Sequence, residues 1–103
     1  MDRIEKLREY LLATPADAFL QHALALEYVK TGNHEEALLL FTRILERDRL
    51  YIGSYYHLGK LLEKMGRTDE AANWYLKGME ASQEAGDKHA YGELRGAYEE
   101  LTF

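Results

Sequence analysis

The chain matches itself when slid by 34 residues. Leu24 falls on Leu58, Ala25 on Gly59, Gly32 on Gly66, Glu36-Ala37 on Glu70-Ala71, Phe41 on Tyr75 and Leu45 on Met79. Going backward, Leu45 falls on Leu11 and Arg49 on Pro15. A fixed offset of this size marks a repeat architecture. Each unit is one supersecondary element that cannot bury its apolar face alone, so neighbouring units must stack.

The period inside each unit is helical. No segment alternates polar and apolar residues with a period of two, so no strand is expected. Many Leu, Ala, Glu and Lys, with one Pro, favour helix throughout. Six helices are predicted, near Arg3–Ala13, Ala16–Thr31, His34–Arg47, Leu50–Met65, Thr68–Glu84 and Asp87–Leu101. Gly32 and Gly66 sit where a helix C-terminus favours a left-handed residue. Asn33, Thr68 and Asp87 are candidate N-caps, and Pro15 suits a first turn. Links of only two or three residues make neighbours in sequence pack antiparallel.

Within each unit the spacing is specific. The second reads Tyr55-x2-Leu58-Gly59-x2-Leu62, then Ala71-x3-Tyr75; the first reads Gln21-x2-Leu24-Ala25-x2-Tyr28, then Ala37-x3-Phe41. This pattern resembles the tetratricopeptide repeat (TPR) family, whose 34-residue helix–turn–helix unit carries W-x2-L-G-x2-Y…A-x3-F…P. The Trp position holds Gln21 and Tyr55, and the closing Pro appears only at Pro15, with Arg49 and Gln83 in its place later. The resemblance covers nearly the whole chain. It implies an all-α fold, an α-α superhelix of six antiparallel helices. Residues 1–14 form an unpaired helix B, 16–49 the first repeat, 50–84 the second and 86–101 a capping helix. The small residue at Gly59, and at Ala25 in the first unit, lets helices A and B of one repeat approach closely.

The ends complete the stack, since two units are fewer than the three or so a solenoid needs. Ile4, Leu7 and Leu11 fall on the apolar face of the first helix, and Tyr91, Leu94, Tyr98 and Leu101 form one stripe on the last. The last helix matches at an offset of 36, pairing Leu58 with Leu94, Leu62 with Tyr98 and Glu63 with Glu99. That register needs two extra residues near Ala85-Gly86 and puts Arg95 at the close-packing position. The start in mid-unit is compatible with a domain of a longer protein and leaves a whole protein open.

Composition excludes several functions. With 103 residues, 47% apolar and 30% charged, this is one small folded domain. Cys is absent, so no disulfide framework or thiolate site exists, and the first residues carry both charge signs and no apolar run. No stretch approaches the ~20 apolar residues of a membrane span, and the expected location is cytoplasmic. A net charge of -5 argues against general nucleic-acid binding. No nucleotide loop, nucleophile elbow or zinc-protease motif is present, and no cofactor is called for. Glu35-Glu36 and Glu99-Glu100 are adjacent on helices and diverge by about 100°, so they are solvated charges rather than paired acids. His22, His57 and His89 fall on A helices near one face, a conceivable metal site; but no two share a helix at i, i+4, and ordinary polar groove histidines are the better account. His34 is expected in a turn, and Trp74 either in a packing role or on a contact surface.

The resemblance implies a non-enzymatic protein-interaction module, a scaffold or adaptor that holds a peptide segment in the concave groove. Carried over position by position, that groove comprises Phe19, His22 and Leu26, then Tyr56, His57, Lys60 and Glu63, then His89, Gly92, Glu93 and Gly96. Family members that grip C-terminal carboxylates use a Lys and an Asn at the positions of His22 and Leu26, and an Asn at that of His57. That clamp is missing here, so tight binding of such peptides is not expected. The expected ligand is an extended or helical segment anchored near Tyr56 and held more by aromatic contact than by charge. A homodimer through Ile4, Leu7 and Leu11 is the alternative, and a metal protein or enzyme the third.

Overall fold

The computed structural model describes residues 2–103. It contains helices α1 (Arg3–Ala13), α2 (Ala18–Lys30), α3 (His34–Arg47), α4 (Gly53–Lys64), α5 (Thr68–Ala85) and α6 (Lys88–Thr102), and no strand among the described residues. Consecutive helices pack on each other, and α4 also touches both α2 and α6. The A-type helices α2, α4 and α6 therefore form one row, with α3 and α5 behind them.

Three turns share one solution. Gly32, Gly66 and Gly86 have φ of 79°, 75° and 72°, the left-handed region a side chain disfavours. Each lets two backbone amides bond back into the helix that is ending. Asn33 N donates to Tyr28 O at 2.8 Å, Arg67 N to Leu62 O at 2.8 Å and Asp87 N to Ser82 O at 2.8 Å. These are Schellman closures that satisfy otherwise unpaired carbonyls.

Helix starts differ from the sequence reading where side chains compete for the backbone. The second helix begins at Ala18, not Ala16, because Asp17 caps it by accepting from Leu20 N at 3.0 Å. Pro15 thus lies in the preceding turn. The fourth begins at Gly53, not Leu50, because the Asp48 carboxylate accepts from Leu50 N at 3.0 Å and holds a turn there. Asp87 caps α6 as expected, accepting from Ala90 N. Asn33 precedes α3 but makes no capping bond; its side chain accepts from Thr31 Oγ1 at 2.5 Å. Thr68 is the first residue of α5, not its cap.

The core runs along the interior of the stack. Ala25, Ala37, Phe41, Leu58, Ala71 and Tyr75 are fully enclosed, joined by Leu61, Leu62 and Leu94. Gly59 works as the spacing implied. A Cβ there would lie 2.1 Å from Tyr75 Cε1, so only Gly lets the ring reach α4. The Tyr75 hydroxyl donates to the Glu63 carboxylate, so its polar tip is satisfied at the inner end of the ring. Gly78 plays the same part where α4 and α6 both meet α5: a Cβ would meet Tyr55 Cβ at 2.7 Å and Leu94 Cδ1 at 2.9 Å. Trp74 is half-buried, its ring 6.2 Å from Tyr55 and covered by Lys77 Nζ at 4.4 Å.

At the C-terminal end Leu94 and Ala97 are buried, while Tyr91, Tyr98 and Leu101 are half-buried. Arg95 is exposed, 3.5 Å from Glu99. The residues that shift the last register are absorbed by α5, which has 18 residues against 14 in α3. At the other end Leu7 is buried, and Ile4 and Leu11 are half-buried against the fold. The apolar groups that α1 leaves open are instead Tyr10 (54% exposed) and Leu12 (83%).

Candidate functional site

Helical periodicity aims one stripe of α2 and one of α4 into the space between them. The result is an open cleft of about 710 Å³. Phe19, His22, Ala23, Leu26, Glu27, Val29 and Lys30 line it from α2, and His57, Lys60, Leu61 and Lys64 from α4. Arg3 reaches its edge from α1, because α1 runs back along α2 and its guanidinium bonds Glu27 at 2.8 Å. Phe19 is 71% exposed, a large apolar ring with little covering it.

An aromatic cluster forms the base. The His22 and His57 rings are 5.4 Å apart, and both lie on Phe41: His22 edge-on at 5.6 Å, His57 stacked at 6.4 Å with 9° between planes. Tyr51 lies 5.8 Å from His22. Burial, with the neighbouring His57, holds the His22 pKa down at about 4. Partial desolvation likewise lowers His57, although the residue keeps an exposed edge, and Glu93 pulls the other way. Both rings are therefore neutral at pH 7. Ser54 Oγ lies 2.8 Å from His22 Nδ1, and its hydroxyl donates there when the ring proton sits on Nε2. Ser54 itself is fully buried. The Ser–His pair thus orients the imidazole and offers no nucleophile to a substrate.

The expected groove residues are only partly gathered. Phe19, His22, Leu26, His57 and Lys60 meet in the cleft. Tyr56 and Glu63 do not line it. Tyr56 lies 5.8 Å from His57 and 6.5 Å from Tyr75, with Lys60 Nζ 5.5 Å from its ring centre. Glu63 receives the Tyr75 hydroxyl and sits 3.6 Å from Lys60. On α6, His89 is exposed and 3.8 Å from Glu93. A Cβ built on Gly92 or Gly96 meets nothing within 4 Å. The A-helix histidines do not converge as a set. His34, at the start of α3, is half-buried. Among the described residues no three His, Cys, Asp or Glu side chains come together as a metal-binding group, and no helix is long and apolar enough to cross a membrane.

Sequence reasoning missed Arg3, Lys30 and Lys64 in this cleft. Lys30 follows Leu26, and Lys64 follows Lys60, by four residues, so carrying each stripe one turn further finds them. Arg3 carries no such signal; it depends on how α1 lies along α2.

The comparisons agree with this architecture. The sequence model of the tetratricopeptide repeat matches residues 1–82. No curated protein is detectably similar to the chain. Among solved structures, a tetratricopeptide repeat domain protein from Salinibacter ruber is 42% identical, covering 85% of this chain and 89% of that one, with a TM-score of 0.82. A protein from Bordetella parapertussis is 25% identical over 98% of this chain and 88% of its own, with a TM-score of 0.84. The Sgt2 TPR domain from Aspergillus fumigatus, at 23% identity over 95% of this chain and 65% of that one, shares the fold with a TM-score of 0.78. The chain therefore belongs to the tetratricopeptide repeat family, whose members are in general helical scaffolds for protein–protein interaction.

Proposed function

We propose that this chain is a non-catalytic adaptor of the cytoplasm that holds a peptide segment of a partner protein against the row of α2, α4 and α6. The observation that carries the reading is the cleft between α2 and α4. Its volume of about 710 Å³ accommodates several side chains, its base is aromatic and aliphatic, and Phe19 stands open at its wall. Tyr56, Glu63, His89 and Glu93 belong to the same proposal, as the continuation of the concave face toward α6. The test begins with partners captured from the native source, each then titrated against Phe19→Ala and Tyr56→Ala. Loss of about 1–3 kcal/mol per anchor, with the helical fold retained, is the expected result. A partner whose affinity survives both substitutions together uses the convex face or an end, and the groove reading fails.

Self-association is the second reading, favoured by the exposure of Tyr10 and Leu12 on α1. A symmetric pair would cover both side chains.

A further inference from the structure

The chain carries a net charge of -5, yet the cleft is walled by cations. Arg3, Lys30, Lys60 and Lys64 stand around it, with one carboxylate, Glu27, on the wall and a second, Glu63, just beyond it. Glu27 is shared between Arg3 at 2.8 Å and Lys30 at 3.7 Å, so it neutralises one of the two. Glu63 is divided between Lys60 at 3.6 Å and the Tyr75 hydroxyl. Lys64 has no carboxylate within ion-pair distance among the described residues. A simpler account is that cations complement the negative C-terminal ends of α2 and α4. It covers Lys30 and Lys64, in the last turns of those helices, but not Arg3, which comes from the first turn of α1, nor Lys60.

The neighbouring stretch has the opposite sign. Glu93 lies close enough to His57, and Glu100 to Tyr75, to bias their protonation, and Glu63 is there as well. An acidic ligand would find its complement over α2 and α4 and be repelled by Glu63, Glu93 and Glu100 as it neared α6. The neutral histidines at the base add no charge, so the wall's cations set the sign.

Building on the groove reading, we propose that the α2–α4 cleft takes an acidic segment, in which Asp or Glu side chains flank one apolar residue seated against Phe19 and Leu26. The carboxylates reach Lys30, Lys60 and Lys64, and the apolar residue fixes the segment along the cleft. Lysines are point charges on flexible stems, suited to several carboxylates in sequence rather than to one planar clamp. The cleft overlaps the positions of the family's carboxylate clamp, His22, Leu26 and His57, but its cations stand elsewhere, at Lys30, Lys60 and Lys64.

A random peptide library displayed on phage, selected on the parent chain, tests the proposal. Parallel selections use Lys60→Glu/Lys64→Glu and Phe19→Asp, with fold checked by circular dichroism and melting. The parent is expected to enrich peptides with Asp or Glu around an apolar residue, and the double charge variant to enrich basic peptides instead. A labelled acidic winner should lose about tenfold or more in affinity when salt rises from about 50 to 300 mM. Winners without net negative charge, or winners that bind the double charge variant equally well, overturn the acidic inference. The groove reading then stands only if Phe19→Asp abolishes their binding. No enrichment above an unrelated helical protein overturns both.

Discussion

Gly59→Ala is the substitution on which the packing argument stands or falls. In most exposed helix interiors Ala is better than Gly by about 1 kcal/mol, because Gly loses more backbone freedom. Gly59 is different because its missing methyl group is where Tyr75 sits. The added Cβ would lie 2.1 Å from Cε1, 2.5 Å from Cζ and 2.6 Å from Cδ1, where ordinary contact begins at 3.4 Å. The ring must retreat by more than an ångström, but it is fully buried and tied by its hydroxyl to Glu63. Overpacking of this kind costs about 1–3 kcal/mol. A rigid, enclosed ring belongs at the upper end, so after the gain in helix propensity the net loss is about 2 kcal/mol. For a domain of this size that lowers the melting temperature by roughly 8–16 °C. The control lies in the same molecule. A Cβ at Gly92 or Gly96 meets nothing within 4 Å, so Gly92→Ala and Gly96→Ala should each raise stability, by up to about 1 kcal/mol. Thermal unfolding followed by circular dichroism measures all three. In a Tyr75→Leu background the penalty of Gly59→Ala should shrink. If Gly59→Ala melts at or above the parent, the close approach of α4 and α5 is wrong.

Other outcomes follow from the site and the ends. The His22 pKa of about 4 lies below its unfolded value of 6.5. Between these values the unfolded chain binds a proton that the folded one refuses, so stability is full above pH 6.5 and falls toward pH 4, by about 1–3 kcal/mol once the ring's partial exposure is allowed for. His22→Gln should flatten that slope in denaturant titrations at a series of pH values; an unchanged slope removes His22 as its source. Leu12→Glu should leave melting unchanged, and in sedimentation at high concentration it should abolish any dimer; a dimer that persists does not use this face of α1. Gly66→Ala should cost about 1 kcal/mol through the left-handed backbone at φ 75°, and a neutral result would show that the turn relaxes.

The fold was legible because its determinants are local and repeated. Leu24 and Leu58, Ala25 and Gly59, and Phe41 and Tyr75 occupy matched places and are buried alike, since each unit solves the same packing problem. Turn glycines were readable at Gly32 and Gly66 for the same reason. Boundaries were less so: Asp17 and Asp48 each bond a backbone amide and delay the next helix, a competition that hydrophobic spacing does not register. Gly78 went unread because it is matched with Ile44, which is itself buried; only the approach of Tyr55 and Leu94 from two other helices explains it. In the cleft, the stripes of α2 and α4 were legible turn by turn, whereas its basic wall depends on α1 bringing Arg3 beside Glu27, a contact between residues 24 positions apart.

The departures from the repeat pattern obey the same spacing. Gln21 and Tyr55 stand where the family carries Trp, and they share little chemistry. Yet Gln21 Nε2 donates to Pro15 O at 3.0 Å, and the Tyr55 hydroxyl donates to Arg49 O at 2.6 Å. Both acceptors lie six residues upstream, and they too are related by the 34-residue offset. The position therefore calls for a side chain that is buried against the core and whose polar tip reaches the carbonyl of the turn leading into its helix. A buried side-chain donor left without a partner costs about 1–3 kcal/mol, enough to keep its tip on this carbonyl while the carbon skeleton changes. Tyr meets the demand with one hydroxyl. Gln meets it with its amide nitrogen but leaves its own Oε1 buried and unpartnered. The substitution at the first unit is thus the poorer fit, and it sits beside Pro15, whose ring already fixes the turn that the bond would otherwise have to hold.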